Sequence, residues 1–347
     1  MDIGSKPLLC AAIGSLLCAS PVSGRNDGVR PVGRAATFDG TLSVLTYNVA
    51  GLPWPIASGR SAAIDAMASR LRDLRRQGRN PHLVVLQEAF TDDARAIGRA
   101  AGYRYVVDGP SVAEVNEATG NAEDRRFVAD ASWWSGETQG KLYGSGLQLL
   151  SDFPVIRVRR MAYPAFACAG YDCLANKGAL LATVRVPGAP SPVDIVTTHL
   201  NSRKSTGVSD ARSLYAYRRQ AALLSAFLNE QHDPAHPLIV AGDFNTGSAR
   251  LRRAALRAQI ATWPGADAFQ NALEQVAEPR MAAGMPLPRD VGAALRRATD
   301  WQFFASGTNA RLRVVAVSVP FGREATGGML SDHIGYTAMF RLDRRAR

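Results

Sequence analysis

Six apolar runs in this chain carry, at one end, polar residues from a narrow set: Asn, Asp, Glu and His. The runs are "LTYNVAGLP", "LVVLQEAF", "TTHLNS", "IVAGDFNTG", "TDWQFF" and "LSDHIGY". They deliver Asn48, Glu88, His199, Asn201, Asp243, Asn245, Asp300, Asp332 and His333. One strand that ends this way is an ordinary turn, because Asn, Asp and Gly are common turn formers. Six together point to a shared rim, since the strand ends of a sheet can converge. In "PLIVAGDFNTG", side-chain alternation predicts that Asp243 and Asn245 point to one side. Gly242 admits a close approach by other backbone.

The rest of the chain supplies the frame for that rim. A 347-residue chain with 46% hydrophobic residues suffices for a large core. Strands are expected at "TLSVLTYNVAGLP", "HLVVLQEAF", "YRYVVDG", "SGLQLLSDFPV", "GALLATVRV", "VDIVTTHLNS", the run before Asp243, "TDWQFFAS", "RLRVVAVSV" and "HIGYTAMFRL". Helical spacing appears at Ile64, Met67, Ala68, Leu71 and Leu74, and again at Leu214, Tyr217, Ala221, Leu224 and Leu228. A short helix is expected over 92–101, and 248–298 reads as mainly helical and Arg-rich. Residues 109–140 read as polar and irregular. The strands are too many, and alternate too loosely with helices, for a simple Rossmann sheet. Two packed sheets flanked by helices fit better, as one domain over 41–342.

The formal net charge is +11, nearly all of it Arg, because Lys occurs only at Lys6, Lys141, Lys177 and Lys204. That balance attracts nucleic acid, phospholipid headgroups or phosphorylated metabolites without choosing among them. An Arg-biased genome would give the same excess. At the N-terminus, Lys6 precedes an apolar segment, Pro7 to Ala19, and then small residues. That is the layout of a cleaved secretory signal over 1–24, followed by a linker over 25–40. A periplasmic or secreted location follows as an expectation. Cys18 offers a lipidation site, although Leu17 makes a poor lipobox. With the signal removed, Cys168 and Cys173 remain in "CAGYDC". They read as one small disulfide loop or as two reduced thiols.

In their order, the six motifs resemble those of the endonuclease/exonuclease/phosphatase superfamily, over roughly residues 41–342. The resemblance implies an α/β fold: the DNase I-like four-layer sandwich, two packed mixed β-sheets flanked by helices. Within that superfamily, "CAGYDCLANKGALLATVRV" and "GSGLQLLSDFPV" look like the segments leading to the first catalytic His of bacterial sphingomyelinases of the phospholipase C type. Asn201 departs from that pattern, standing where those enzymes are expected to carry Gln, and their late hydrophobic hairpin is not evident in 314–330.

The resemblance implies roles. Glu88 would hold a divalent cation with Asn48 beside it and Asp332 in support. Mg²⁺ is the default, with Mn²⁺, Co²⁺ or Ca²⁺ as substitutes. His333, oriented by Asp300, would be the general base. Asp243 would position or deprotonate water, and Asn245 would donate to a phosphoryl oxygen. His199 would stabilise phosphorane charge or protonate the leaving group, and the two His roles could be exchanged. Phosphodiester cleavage needs these parts: neutralised phosphoryl oxygens, an aligned water and a protonated alkoxide. Read singly, Glu88 could cap the next helix, Asn48 could make a turn, and the histidines could be core residues.

Lys177, in "ANKGALL", would contact a phosphate or headgroup, or be a solvated turn residue, and Asn201 is a further substrate-contact candidate. Trp133 and Trp134 would enter a bilayer interface or pack in the core. His232 and His236 have i, i+4 spacing, but Pro234 and Pro237 make a helical metal pair poor. The expectation is a monomeric exported phosphodiesterase acting on a phospholipid such as sphingomyelin. The alternatives are a DNase I-like nuclease, with Arg250 to Arg257 on phosphates, and a phosphatase of inositol phosphates or similar phosphoesters. A non-catalytic binding protein is disfavoured because every expected catalytic position is filled.

Overall fold

A computed structural model of the chain describes residues 39–345 except Pro55 and Ala266. The expected signal, Cys18 and nearly all of the expected linker lie outside these residues. The first sheet contains β1 (Thr41–Gly51), β2 (Leu83–Ala89), β3 (Tyr105–Asp108), β4 (Gln148–Ser151), β11 (Ala310–Phe321) and β12 (Gly335–Arg344), in the order β11-β12-β1-β2-β4-β3. The second contains β5 (Val155–Ala162), β6 (Gly178–Val184), β7 (Val193–His199), β8 (Leu238–Asp243), β9 (Gln270–Asn271) and β10 (Asp300–Ala305), in the order β5-β6-β7-β8-β10-β9. The helices are α1 (Ser61–Arg76), α2 (Asp92–Ala100), α3 (Ala122–Ala129), α4 (Asp210–Gln231), α5 (Arg250–Ile260), α6 (Ala272–Ala282) and α7 (Arg289–Arg297).

Each sheet has one parallel pair, β1 with β2 and β7 with β8. Parallel neighbours need a crossover, and α1 and α4 supply them. The carboxyl ends of these four strands therefore lie at matching edges. The antiparallel partners start where the parallel strands stop: Asp300 of β10 pairs with Asp243, and Tyr336 of β12 pairs with Thr46. One edge thus collects both the ends and the beginnings that the sequence marks as polar.

Strand alternation sorts the core into layers. Leu42 and Val44 of β1, Leu83 and Val85 of β2, Ile195 of β7, Ile239 and Ala241 of β8 and Phe304 of β10 meet in one buried cluster between the sheets. The odd residues of β1, Leu45, Tyr47 and Val49, pack instead with Ile64, Met67 and Leu71 of α1. Each such fully buried apolar side chain contributes about 1.5–3 kcal/mol. On the other side, Val196 and Val240 pack with Leu224 and Leu228 of α4. This is the expected four-layer sandwich.

Two elements differ from the sequence reading. α3 stands inside the supposedly irregular 109–140, closed by a capping box between Asn121 and Asp124. β5 is a separate edge strand after a turn, not the tail of "SGLQLLSDFPV". The last strand also runs to Arg344, two residues past the expected boundary.

His232 and His236 lie at the edge away from the polar rim, at the start of β7. Both face buried Asp194: His232 Nδ1 lies 2.9 Å from Oδ2 and His236 Nδ1 lies 3.3 Å from Oδ1. Thr183 Oγ1 also donates to Oδ1 at 2.6 Å. Burial opposes ionisation of Asp194, but hydrogen bonds from His232, His236 and Thr183 overcome it and hold the carboxyl well below its usual range. The same contact raises His236 above the ordinary imidazole value. The Asp194 contribution to stability is therefore present above the unfolded carboxylate value, about 4, and is lost as pH falls toward the depressed folded value. The His236 contribution is present below about 6.5 and is lost as pH rises through its raised folded value. Urea midpoints recorded from about pH 7 to about pH 3 should fall less steeply in Asp194→Asn than in the parent. Equal slopes would show that Asp194 is not the acid-sensitive group.

Candidate active site

Alternation carries four residues into the space between the sheets. Asn48 follows Leu42 and Val44 at even spacing, and His199 follows Val193 and Ile195. Asp243 follows Ile239 and Ala241, and Asp300 lies four residues before Phe304 on the same face. Asn48 and His199 meet Asp243 at one atom, and Asp300 joins through His333. Asp243 Oδ2 accepts a hydrogen bond from Asn48 Nδ2 at 3.1 Å. It lies 3.5 Å from His199 Nε2 and 3.7 Å from His333 Nε2. Asp300 Oδ2 meets His333 Nδ1 at 2.8 Å and accepts from Thr299 Oγ1 at 2.8 Å.

Glu88 and Asn245 arrive differently. Gln87 already faces the second sheet, donating to Thr197 Oγ1 at 3.2 Å, so alternation alone would turn Glu88 toward the helices. A φ of 56° at Glu88 breaks the alternation. Its Oε1 then lies 3.9 Å from His199 Nε2. A left-handed conformation at a non-glycine residue costs about 1–3 kcal/mol and persists only where the surroundings enforce it. The cap of α2 is Thr91, not Glu88. Asn245 likewise has φ 48°, beyond the end of β8, so its nearness to Asp243 comes from a turn rather than from strand alternation. Its N–H donates to Asp243 Oδ1 at 2.9 Å and its Nδ2 donates to the Leu200 carbonyl at 2.9 Å. Gly242 is required by the sheet: a Cβ there would fall 2.1 Å from the Thr198 carbonyl oxygen.

Cys168 and Cys173 form a disulfide. Asp172, inside that loop, accepts from Lys177 Nζ at 2.6 Å and from the Ser202 N–H at 2.6 Å. Lys177 is buried and lies 3.3 Å from His199 Nε2. Asn201 is fully buried, and its side chain is engaged internally, accepting from the Ala169 N–H and donating to the Ser202 carbonyl. Asp332 is exposed at the rim, where its carboxylate accepts from Ser331 Oγ at 3.4 Å. Ser331 Oγ also donates to the Asn48 carbonyl at 2.7 Å, tying the loop of His333 to the end of β1.

Burial, with Asp300 and Glu88 nearby, pushes the Asp243 carboxyl up to about 7, although His333 and the Asn245 N–H oppose the shift. Burial also raises Glu88. Burial works to lower His333, but Asp300 and Asp243 overcome it and hold the ring well above the ordinary value. His199 goes the other way, lowered by burial and by Lys177. The donor chemistry fits a hard cation: carboxylates crowd together, and Asp300 Oδ1 is a buried acceptor without a hydrogen-bond partner. Among the described residues, Asp243, Asp300 and His333 bring ligating atoms within 4.8 Å of one another. Of the trio expected from the sequence, Asn48 is buried beside Glu88, and Asp332 is the exposed member.

Sequence reasoning passed over Asp172 and Arg252. Asp172 lies in a quoted loop with no periodicity to single it out. Arg252 belongs to an Arg-rich helix, but it stands one turn before buried Leu256, where the helical pattern calls for a buried residue. The residue is 2% exposed, and its guanidinium donates to the carbonyls of Asn201 (2.5 Å), Ser202 (2.9 Å) and Asn245 (3.2 Å). It also stacks over the Tyr217 ring at 4.5 Å.

A two-sheet α/β sandwich with carboxylates, imidazoles and a lysine gathered at one edge defines the class as DNase I-like. Residues 45–334 match the Endonuclease/Exonuclease/phosphatase family, and the chain belongs to it. It is 26% identical over 219 residues to a sphingomyelinase of Mycobacterium tuberculosis, covering 60% of this chain and 35% of that protein. The chain thus spans about a third of the length of the curated relatives it matches. A structure of beta toxin from Staphylococcus aureus with bound magnesium ions is similar at TM-score 0.55 and 15% identity, covering 86% of this chain and 98% of that one. D. rerio TDP2 complexed with a single-strand DNA product is similar at TM-score 0.54 and 16% identity, covering 87% and 99%. The two folds match this one about equally well, so the fold does not select a substrate.

Proposed function

We propose that the chain is an exported, metal-dependent phosphodiesterase that hydrolyses a phospholipid headgroup in the manner of a sphingomyelinase. The observation that carries the chemistry is the convergence of Asn48, His199 and His333 on one carboxylate oxygen of Asp243. The sequence similarity to sphingomyelinases supports the substrate. The N-terminal apolar segment and the disulfide support export.

Glu88, with Asn48 beside it and Asp332 at the rim, would hold the divalent cation, taken as Mg²⁺. A cation held there would supply charge neutralisation for the phosphoryl oxygens. Asp300 fixes His333 Nδ1, so that Nε2 faces Asp243 and the pair manages the proton of the attacking water. Asn245 is anchored by the Leu200 carbonyl and presents its remaining amide hydrogen to the phosphate. His199 and Lys177, 3.3 Å apart, would serve the phosphorane charge and the leaving alkoxide. Lys177 is kept there by Asp172.

Trp133 and Trp134 are 57% and 81% exposed, so the core alternative does not apply. Their loop is braced rather than loose. Glu137 accepts from Ser132 N, Gly170 N and Arg212 Nε, and Tyr171 Oη donates to the Trp134 carbonyl. Two exposed indoles on a braced loop suit a bilayer interface, and the loop abuts the disulfide segment that bears Asp172. Changing both Trp to Ala should weaken binding to sphingomyelin–phosphatidylcholine vesicles by about tenfold or more and leave turnover of a water-soluble phosphodiester within about twofold. Unchanged vesicle binding would remove these residues from the interface.

The substrate is tested by offering sphingomyelin vesicles and plasmid DNA separately, each with Mg²⁺ or EDTA. Phosphocholine release abolished by EDTA, without nicking, supports the proposal. Nicking without lipid turnover would replace it with the nuclease reading that the family also allows. Failure of both would direct attention to inositol phosphates.

A further inference from the structure

We propose that α5 presents a second anion site beside the catalytic rim, lined by Arg250, Arg253 and Arg257 and suited to a phosphate group. The three occupy one face of the helix at i, i+3 and i+7. All three are exposed, and together with Glu274, Leu295 and Trp301 they line an open surface cavity of about 400 Å³. Among the described residues none of the three guanidiniums is ion-paired, and Arg253 makes a single hydrogen bond, to the Ser248 carbonyl at 3.3 Å. Glu274 is the one acid on the wall, and burial with neighbouring Glu278 raises its carboxyl above the usual range against the pull of Arg257. Three positive charges therefore face at most one negative charge. Guanidinium forks match phosphate oxygens in geometry, and gathering them over a concavity separates this group from a merely solvated helix face.

The cavity adjoins the catalytic machinery through shared backbone. Trp301, 7% exposed, follows Asp300 and donates through Nε1 to Thr246 Oγ1 at 2.9 Å. Thr246 follows Asn245, and the Gly247 N–H donates to the Ala298 carbonyl at 2.8 Å. The turn that carries Asn245 is thus hydrogen-bonded to two residues of the cavity wall, Ala298 and Trp301. Arg252, between Arg250 and Arg253, points the other way and holds that same turn from within. The proposal takes from the phosphodiesterase reading only the source of the phosphate: a neighbouring anionic lipid headgroup, or a free phosphate such as a soluble product.

The test uses the full chain carrying His333→Ala, so that nothing turns over, titrated with inorganic phosphate by calorimetry. Two classes of site are expected, one of them at the catalytic centre. Changing Arg250, Arg253 and Arg257 to Gln should weaken the second class by about tenfold or more. Removing equal charge elsewhere, through Arg99→Gln, Arg125→Gln and Arg218→Gln, should preserve it. Arg257→Gln alone provides a milder variant should the triple change impair folding. A parallel arm measures binding to phosphatidylcholine vesicles with and without phosphatidylglycerol. Loss of both phosphate and phosphatidylglycerol binding supports the site with a headgroup as its source, and loss of phosphate binding alone supports it with a soluble source. An unchanged phosphate isotherm in the triple variant, or equal loss in the charge control, overturns the proposal. Neither result depends on sphingomyelin turnover, so failure of the lipid reading would be seen separately.

Discussion

Replacing His333 by Ala is expected to lower phosphodiester turnover by about 10²–10⁴-fold while the protein remains folded. The ring is held at Nδ1 by Asp300 at 2.8 Å, and its Nε2 looks onto Asp243 at 3.7 Å. Its backbone N–H donates to Ser331 Oγ at 3.1 Å, and Ser331 is bonded to the end of β1, so the loop keeps its anchor when the ring is removed. Asp300→Asn should cause a smaller loss in kcat and alter the pH profile, because the imidazole remains but loses the charge that orients it. Steady-state kinetics with thermal melts separates the cases. Turnover within about threefold of the parent in His333→Ala would remove this residue from the chemistry.

Arg252→Met should cost about 3 kcal/mol of stability, because the buried Asn201 carbonyl loses its donor, the Ser202 and Asn245 carbonyls each lose one bond, and a hydrogen bond from a charged donor is worth about 1.5–3 kcal/mol. That corresponds to a fall in melting temperature of about 6 °C or more. Burial lowers the Arg252 value, so the guanidinium stays charged there at the expense of desolvation. Its bonds to Asn201, Ser202 and Asn245 join the segments that leave β7 and β8, the two strands that deliver His199 and Asp243. Activity should therefore fall even at temperatures where the variant is folded. A Met variant as stable as the parent would mean that the apolar side chain recovers in packing what the lost bonds supplied.

The parts of this protein that obey strand periodicity were readable in advance. Asn48, His199, Asp243 and Asp300 follow from alternation in apolar strands whose inner face is continuous with the inter-sheet core. The two-sheet frame follows from the number of such strands. Glu88 and Asn245 reach the site by breaking the period, through positive φ values that no pattern of residue types announces. β5 was hidden because Arg157, Arg159 and Arg160 obscure its alternation; such charge also blunts a sheet edge. α3 is short and buries only one apolar side chain, Phe127, so its capping box is its main local signal. Arg252 acts through partners distant in sequence, and Asp172 through Lys177 just before β6 and distant Ser202; residue type alone gives no sign of such partners.

Hydrolysis in ¹⁸O-labelled water tests most directly the claim that these strand ends form one centre for attack of water on phosphorus. Sphingomyelin vesicles and the full chain with Mg²⁺ should yield phosphocholine carrying the label in its phosphate and ceramide carrying none. Label in the ceramide hydroxyl would mean cleavage on the carbon side, and an unlabelled phosphate would mean that water is not the nucleophile; either contradicts the account.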